Sequence, residues 1–109
     1  MARSYNDDTL DLVAVRFKVL GEPMRLRILN ALREGERTVS ELVQITGAGQ
    51  ANISKHLNLL HRNGLVERRK EGLNVFYRIA DAGVFRLCDI ICDSLEADIT
   101  DRMRTLGIG

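Results

Sequence analysis

Apolar residues recur at helical spacing in five segments of the chain, and polar or glycine-containing stretches separate these segments. This spacing places the apolar side chains on one face of an α-helix, so each segment is predicted to be helical. The predicted helices cover residues 9–20, the segment from Pro23 to Gly35, the segment from Thr38 or Ser40 to Gly47, residues 50–62 and residues 81–106. The chain is therefore predicted to be mainly α.

Residues that favour helix ends bound these segments. Thr9 is a candidate N-cap for the first helix, and Pro23 suits the first turn of the second, where its missing N–H has no helical partner in any case. Thr38 and Glu41 have the spacing of a capping box, in which each side chain accepts the backbone N–H of the other residue. Gly64 is predicted to close the fourth helix, because glycine adopts the left-handed conformation of a C-cap easily.

Two short segments rich in β-prone residues follow the fourth predicted helix. Residues 65–70 and 75–79 flank a polar loop that contains Gly72, and this pattern predicts a β-hairpin. The predicted order is α-α-α-α-β-β-α, a mainly α (α+β) fold. Two short helices joined by a glycine turn and followed by a hairpin are typical of a winged helix-turn-helix, which inserts the second of those helices into DNA.

Length and composition are ordinary for one small globular domain: 109 residues, 45% hydrophobic and 28% charged. They predict a single domain over residues 1–109, with residues 1–8 as a flexible tail. No apolar run approaches the ~20 residues of a membrane span, and the N-terminus lacks the apolar centre of a signal peptide, so we expect a cytoplasmic protein. The absence of a glycine-rich phosphate loop, a Ser/His/Asp arrangement and an open metal site argues against an enzyme.

Positive charge is concentrated in the middle of the chain, although the whole chain has a net charge of only +1. Residues 50–79 have a net charge of +4, residues 1–49 are neutral, and residues 80–109 have a net charge of −3. A surface that binds nucleic acid has such a local excess of Lys and Arg. Charge alone is equally compatible with an ordinary solvated face.

The fourth predicted helix separates apolar and polar residues onto opposite sides. Ile53, Leu57 and Leu60 fall on one side and are predicted to anchor the helix. The other side suits DNA, because Lys and Arg neutralise phosphate, Asn and Gln pair with adenine, and Ala contacts a thymine methyl. The candidate DNA contacts from this helix and the hairpin are Gln50, Ala51, Asn52, Ser54, Lys55, His56, Asn58, Arg62, Arg68, Arg69, Lys70 and Arg78.

Two alternatives remain open at this point. His56 either contacts a phosphate or is a partly exposed histidine whose partners lie within the protein. The winged helix could also bind another protein rather than DNA. Such a surface usually carries aromatic or aliphatic residues, whereas the exposed side of this helix is polar and basic.

Three parts of the chain resemble the ArsR/SmtB-type repressors. The segment Gly21–Leu29 is similar to the start of their second helix, and the segment Arg68–Tyr77 is similar to their wing. The recognition helix of the family and the residues that follow it are similar to Gln50–Leu60 and Asn63–Val66. The resemblance implies a homodimer that binds a palindromic operator and leaves it when an inducer binds. It also implies that the first and last helices form the dimer interface. The apolar positions of these two helices give the candidate interface residues Leu10, Val13, Phe17, Val84, Leu87, Ile91, Leu95 and Ile99.

Members of this family often sense thiophilic metals or metalloids, but two of their site patterns are missing here. The third helix has no Cys-x-Cys pair, and the last helix has no histidine for a zinc-type site. Cys88 and Cys92 remain, one turn apart on the last helix, so residues 82–106 are predicted to be the dimerisation and sensor helix. Three roles are open for them: thiolate binding of As(III) or another soft ion, sensing of oxidants or reactive sulfur, and packing as small apolar residues.

Overall fold

The computed structural model describes residues 3–107, which form five α-helices and a three-stranded antiparallel sheet. The helices are α1 (Asp7–Leu20), α2 (Pro23–Ala31), α3 (Val39–Thr46), α4 (Gln50–Arg62) and α5 (Gly83–Thr105), and a 3-10 turn (Leu32–Glu34) extends α2. The strands are β1 (Arg37–Thr38), β2 (Val66–Glu71) and β3 (Asn74–Ile79), in the sheet order β1-β3-β2. The predicted mainly α winged helix-turn-helix is confirmed, with α3 and α4 as the two short helices and the β2–β3 hairpin as the wing.

Strand β1 is absent from the predicted order because two residues are too few to produce an alternating pattern. The strand arises from tertiary pairing: Arg37 lies opposite Tyr77, and Thr38 lies opposite Phe76 on β3. Thr38 is also the N-cap of α3. The same short segment therefore fastens the base of the wing to the start of the helix-turn-helix.

The start of α1 differs from the prediction. Asn6 is the N-cap, and its Oδ1 accepts a hydrogen bond from the Thr9 backbone N–H at 2.8 Å. The prediction of Thr9 as the N-cap is therefore wrong. The predicted tail is also shorter than residues 1–8, because Asp7 and Asp8 are already helical and suit the positive end of the helix. Residues 1 and 2 of that tail lie outside the described residues.

Three of the predicted helix ends are confirmed. Pro23 occupies the first turn of α2. Thr38 Oγ1 accepts the Glu41 N–H at 3.2 Å, while a Glu41 carboxylate oxygen accepts the Thr38 N–H at 3.0 Å, which completes the capping box. Gly64, just after the C-cap of α4, has a φ of +72°, a left-handed conformation that favours glycine. These local signals set where α2 and α3 begin and where α4 ends.

The core lies where α2, α3, α4 and the sheet meet. Ile28, Leu42, Ile53, Leu57 and Leu60 are completely buried there, so the predicted anchoring side of α4 is confirmed. Burial of one such side chain contributes about 1.5–3 kcal/mol. Three of them hold α4 against the body of the protein and leave its opposite side free for a ligand.

Helices α1 and α5 leave a stripe of apolar side chains uncovered. Leu87 is half-buried, and six predicted interface residues are exposed: Leu10, Val13, Phe17, Ile91, Leu95 and Ile99. The prediction for Val84 is corrected, because this side chain is 5% exposed and belongs to the core, where the first turn of α5 still lies against the body. None of the helices described for residues 3–107 is long and apolar enough to cross a membrane.

Candidate nucleic-acid interface

The exposed side of α4 and the wing together form a concave surface, called the basic groove below. It encloses about 660 Å³ and is lined by Ala51, Ser54, Lys55, Asn58, His61, Arg62 and Arg68. All of these except His61 are among the candidate DNA contacts predicted from the sequence. The groove combines three positive charges with hydroxyl and amide groups, which is the chemistry that binds phosphates and base edges.

His61 is a groove residue that the sequence analysis missed. It lies three residues after Asn58, so the two side chains are neighbours on one helical face. That spacing is the signal that identifies it. A half-buried imidazole at the rim of a basic surface donates readily to an anionic oxygen.

The first turn of α4 presents further polar groups beside the groove. Gln50 and Asn52 are exposed there, as predicted for residues that contact bases. The N-cap is Gly49, which has no side chain to accept the first backbone N–H groups of the helix. Because these N–H groups have no partner within a helix, and because the helix dipole is positive at this end, the turn attracts an anion.

His56 does not share this surface, although it lies in the middle of α4. It is 9% exposed and is directed toward α2: Nδ1 lies 3.3 Å from Nη1 of Arg25, and Nε2 lies 3.8 Å from a Glu22 carboxylate oxygen. The prediction of a DNA contact at His56 is therefore corrected. The helical period explains the placement, since His56 follows the buried Ile53 by three residues and so lies beside the anchoring side.

The two faces of the wing make different contacts. Cross-strand partners in a hairpin share a face, and successive residues alternate between faces. Arg68 lies opposite the buried Tyr77, and Lys70 lies opposite Val75, so both are on the inner face of the wing. Arg68 also lines the basic groove, which places this face next to α4. Neither Arg68 nor Lys70 forms a salt bridge within residues 3–107.

Arg69 lies on the outer face of the wing and is bound to two carboxylates. Its Nε donates to Glu36 at 2.8 Å, its Nη1 donates to Glu71 at 2.6 Å, and its guanidinium lies 4.5 Å from the centre of the Phe76 ring. The hydrogen bond from Arg69 holds the pKa of Glu36 below its ordinary value, and the same bonds raise the pKa of Arg69. Arg69 therefore ties the wing to the loop before β1.

Arg78 shares this outer face and is paired in the same way. Its Nε donates to a Glu67 carboxylate oxygen at 2.8 Å. Arg69 and Arg78 therefore lie outside the basic groove, on the face opposite Arg68, and each is paired with a neighbouring carboxylate, while their contact with DNA stays a prediction. A charge that is already paired releases fewer counterions when DNA binds.

A second, apolar groove lies between the end of α1, the start of α2, and α5. It encloses about 330 Å³ and is lined by Phe17, Leu20, Gly21, Leu26, Leu87, Cys88, Ile91, Cys92 and Leu95. We call it the thiol groove, because it contains both predicted sensor cysteines. Both are free thiols, with Cys88 half-buried and Cys92 exposed.

The surroundings of Cys92 favour the neutral thiol. Its Sγ donates to a Glu96 carboxylate oxygen at 3.7 Å. The negative charge of Glu96 is the main cause of a raised Cys92 pKa, followed by burial and the hydrogen bond, with Asp93 and Asp89 adding to it. Within residues 3–107, no three His, Cys, Asp or Glu side chains are grouped so that they could hold a metal ion. In the part of the chain that the structure describes, the thiol groove therefore offers two thiols and no third side chain of these types.

Comparison with known proteins gives a consistent family match. The model described as "Bacterial regulatory protein, arsR family" matches residues 22–68, from the start of α2 to the first half of β2. The biofilm growth-associated repressor of Xylella fastidiosa is 35% identical over 91 residues, which are 84% of this chain and 80% of that protein. The match therefore covers most of both chains.

Two further relatives extend the comparison. The HTH-type transcriptional regulator Rv0324 of Mycobacterium tuberculosis is 40% identical over 83% of this chain, which spans only 41% of that longer protein. The solution structure of the homodimeric winged helix-turn-helix DNA-binding domain Mb0332 from Mycobacterium bovis has a TM-score of 0.71 and 37% identity. That match covers 88% of this chain and 91% of the Mb0332 domain.

Proposed function

Because this chain belongs to the arsR family of bacterial regulatory proteins, we propose that it represses transcription by binding operator DNA as a homodimer. It is a DNA-binding regulator of the winged helix-turn-helix type rather than an enzyme. The observation that carries the proposal is the basic groove, in which unpaired cations of α4 and the wing converge with hydroxyl and amide groups. A regulator of this kind acts where the chromosome is, so we propose a cytoplasmic location.

The residues of the basic groove and their exposed neighbours on α4 and the wing divide into two roles on DNA. Lys55, Arg62, Arg68 and Lys70 neutralise phosphates, which supplies most of the affinity. The first turns of α4 enter the major groove, as the second helix of a helix-turn-helix does. Gln50 and Asn52 then reach base edges, Ser54 donates or accepts at either edge, and Ala51 allows close approach to a thymine methyl.

A second copy of the chain is the partner that covers the exposed apolar stripe of α1 and α5. Apolar patches of this extent are uncommon on monomers. Pairing across a two-fold axis gives two recognition helices, whose separation must match one DNA turn of roughly 34 Å. We propose residues 82–106 as the dimerisation and sensor helix within a single domain over residues 1–109.

The two faces of the wing give the first test of this proposal. We expect Arg68→Ala to reduce the slope of log K against log salt by about 1, because one phosphate contact is lost. Arg69→Ala, its neighbour of equal charge on the outer face, leaves the slope unchanged, since Arg69 is already paired with Glu36 and Glu71. The measurement is binding to an operator duplex, selected from random DNA with the wild-type protein, at several salt concentrations.

Equal slopes for Arg68→Ala and wild type would contradict the assignment of the inner face. If only Arg69→Ala reduced the slope, DNA would contact the outer face of the wing rather than the inner face. Glu36→Gln serves as a second control, because it breaks the same ion pair as Arg69→Ala without removing a cation.

We further propose that a thiol-reactive inducer, As(III) or another soft ion, binds Cys88 and Cys92 and releases the operator. The support is that both thiols line one groove beside the proposed dimer helix. As(III) takes more thiolates than the two in this groove, so the partner's cysteines would complete its site across the two-fold axis. An oxidant or reactive sulfur species at the same pair is the second candidate, favoured by the exposure of Cys92.

A purely structural role for the cysteines is the third candidate, favoured by the apolar lining of the groove and the raised pKa of Cys92. The three roles separate in one experiment. Arsenite, Cd(II), Zn(II), hydrogen peroxide and a persulfide donor are each added to the operator complex of wild type and of Cys88→Ser/Cys92→Ser. We expect arsenite to weaken wild-type binding by about 5–150-fold, the usual range of allosteric coupling, and to leave the double variant unaffected.

If only peroxide or the persulfide donor released the operator, the cysteines would sense oxidants or reactive sulfur rather than a metalloid. An equal response of the double variant to every reagent would remove the cysteines from sensing altogether. Glu96→Gln adds a control on mechanism: it removes the main cause of the raised Cys92 pKa and speeds thiol alkylation at neutral pH.

A further inference from the structure

A cluster of charged and polar side chains connects α1, α2 and α4 on the side away from the basic groove. Arg25 donates from Nε to the Val19 carbonyl at 2.6 Å and from Nη2 to the Lys18 carbonyl at 3.3 Å. These are carbonyls of the last turn of α1, which have no partner within the helix. The guanidinium also matches the negative end of the α1 dipole, so it fastens the end of α1 to the start of α2.

The same guanidinium reaches the recognition helix through His56. Arg25 has only donors, so its Nη1, 3.3 Å from His56 Nδ1, donates to the tautomer of the ring that carries its proton on Nε2. That Nε2 faces Glu22, which also caps α2 by accepting the Arg25 backbone N–H at 2.9 Å. His56 is itself buried, and each of its ring nitrogens faces a charged group.

His56 holds α4 in a way that the apolar anchors cannot. Ile53, Leu57 and Leu60 bury area without a preferred direction, since the hydrophobic effect is non-directional. Among residues 3–107, the hydrogen bond to Arg25 is the one that joins a side chain of α4 to another element. His56 directly follows Lys55 and lies two residues before Asn58 on the same helix, so a rotation of α4 that breaks the His56 bond also turns the groove residues.

We propose that His56 and Arg25 are positioning residues that couple the dimerisation helix α1 to the orientation of the recognition helix α4. This inference rests on the proposed function, because α1 matters for DNA only if it belongs to the dimer interface. A displacement of α1 relative to its partner moves the Lys18 and Val19 carbonyls, and the guanidinium carries that movement to the ring of His56. The link therefore controls base selection rather than the total charge that meets the phosphates.

Two substitutions at one position separate this role from simple packing. His56→Leu keeps a similar volume and removes the acceptor, whereas His56→Asn places its Oδ1 close to the position of Nδ1. The assay compares the affinity for the selected operator with the affinity for a scrambled duplex, at equal salt, alongside the midpoint of thermal unfolding. We expect His56→Leu to lower the operator-to-scrambled ratio about tenfold, the loss typical of one charge-assisted hydrogen bond.

Binding to the scrambled duplex and its salt slope stay unchanged in His56→Leu, because the phosphate contacts are intact. His56→Asn retains a ratio within about threefold of wild type, since an acceptor remains. Arg25→Lys is the second variant, and it provides the test of the coupling in case His56→Leu does not fold. The compact ammonium of lysine lacks the planar fork by which Arg25 reaches Val19, Lys18 and His56 from three different nitrogens, so the ratio falls here also while the charge is kept.

The coupling would be overturned if His56→Leu and Arg25→Lys lost equal affinity for both duplexes. It would also be overturned if both variants kept the wild-type ratio of operator affinity to scrambled-duplex affinity. Failure of the proposed function has a different signature. In that case the wild-type protein itself shows no preference between the selected and scrambled duplexes, so the ratio is already one before any substitution.

Discussion

The double variant Lys55→Ala/Arg62→Ala binds the selected operator about a hundredfold more weakly than wild type, because two phosphate contacts at the centre of the basic groove are lost. Both side chains line the groove and form no salt bridge within residues 3–107, so their charges are available to DNA. The slope of log K against log salt falls by about 2, which distinguishes lost phosphate contacts from lost base contacts. Thermal unfolding is unchanged within error, since both residues are exposed.

The matched control is Arg86→Ala/Arg102→Ala. It also removes two positive charges, but from α5, where both side chains are exposed and distant in sequence from the groove. We expect this control to keep the wild-type salt slope. If the two double variants lose the same affinity and slope, DNA is attracted by the overall charge of the protein and the groove has no special role.

Phe17→Glu converts the proposed dimer into a monomer and reduces operator affinity by a factor of about 10²–10⁴, the gain usually provided by linking two binding units. Phe17 is 51% exposed on α1 and also lines the thiol groove, in the middle of the uncovered apolar stripe. A carboxylate buried there by a partner loses its hydration without gaining a cation. Analytical ultracentrifugation measures the mass, and binding to a full operator and to a half-site measures the consequence.

Leu12→Glu is the control for this substitution. Leu12 is 73% exposed on the same helix, and the helical period places it on the side opposite Phe17. It should remain dimeric with wild-type affinity. A monomeric Leu12→Glu together with a dimeric Phe17→Glu would move the interface to the other side of α1. If the substitutions affect only dimer formation, the wild type, Phe17→Glu and Leu12→Glu bind the half-site with equal affinity.

Much of the fold follows from local sequence. The capping box of Thr38 and Glu41, the proline at the start of α2 and the left-handed glycine after α4 each involve residues close together in the chain. The anchoring side of α4 follows from a helical period over a few turns, and its three anchors are completely buried. The basic groove follows from the same period, since its residues occupy the opposite side of that helix.

Two differences from the predicted site, at Arg69 and at His56, come from pairing between distant parts of the chain. Arg69 and Glu36 are 33 residues apart, and nothing local indicates that they form an ion pair. His56 and Arg25 are 31 residues apart, and on the helical wheel His56 lies at the border between the two sides. A carboxylate paired with a cation weakens the attraction of that cation for a phosphate, and sequence patterns do not show which cations are paired.

Sequence patterns also fail to identify some short elements and the ends of some helices, because tertiary packing determines them. β1 has two residues and depends on β3 for its hydrogen bonds, so no periodic signal marks it. Val84 follows the apolar pattern of α5, but the first turn of that helix lies within the core while its later turns leave the body. The pattern identifies an apolar stripe, and only the packing divides it between the core and a partner.

The central claim is that DNA contacts the groove between α4 and the inner face of the wing. It is tested most directly by NMR shifts of the backbone amides and of the arginine Nε–H groups as the selected duplex is added to the labelled protein. We predict that the largest changes fall on the amides of residues 50–62 and on the Nε–H groups of Arg62 and Arg68, while the Nε–H groups of Arg69 and Arg78 on the outer face change little. Changes concentrated on the outer face of the wing, or outside both α4 and the wing, would contradict the account.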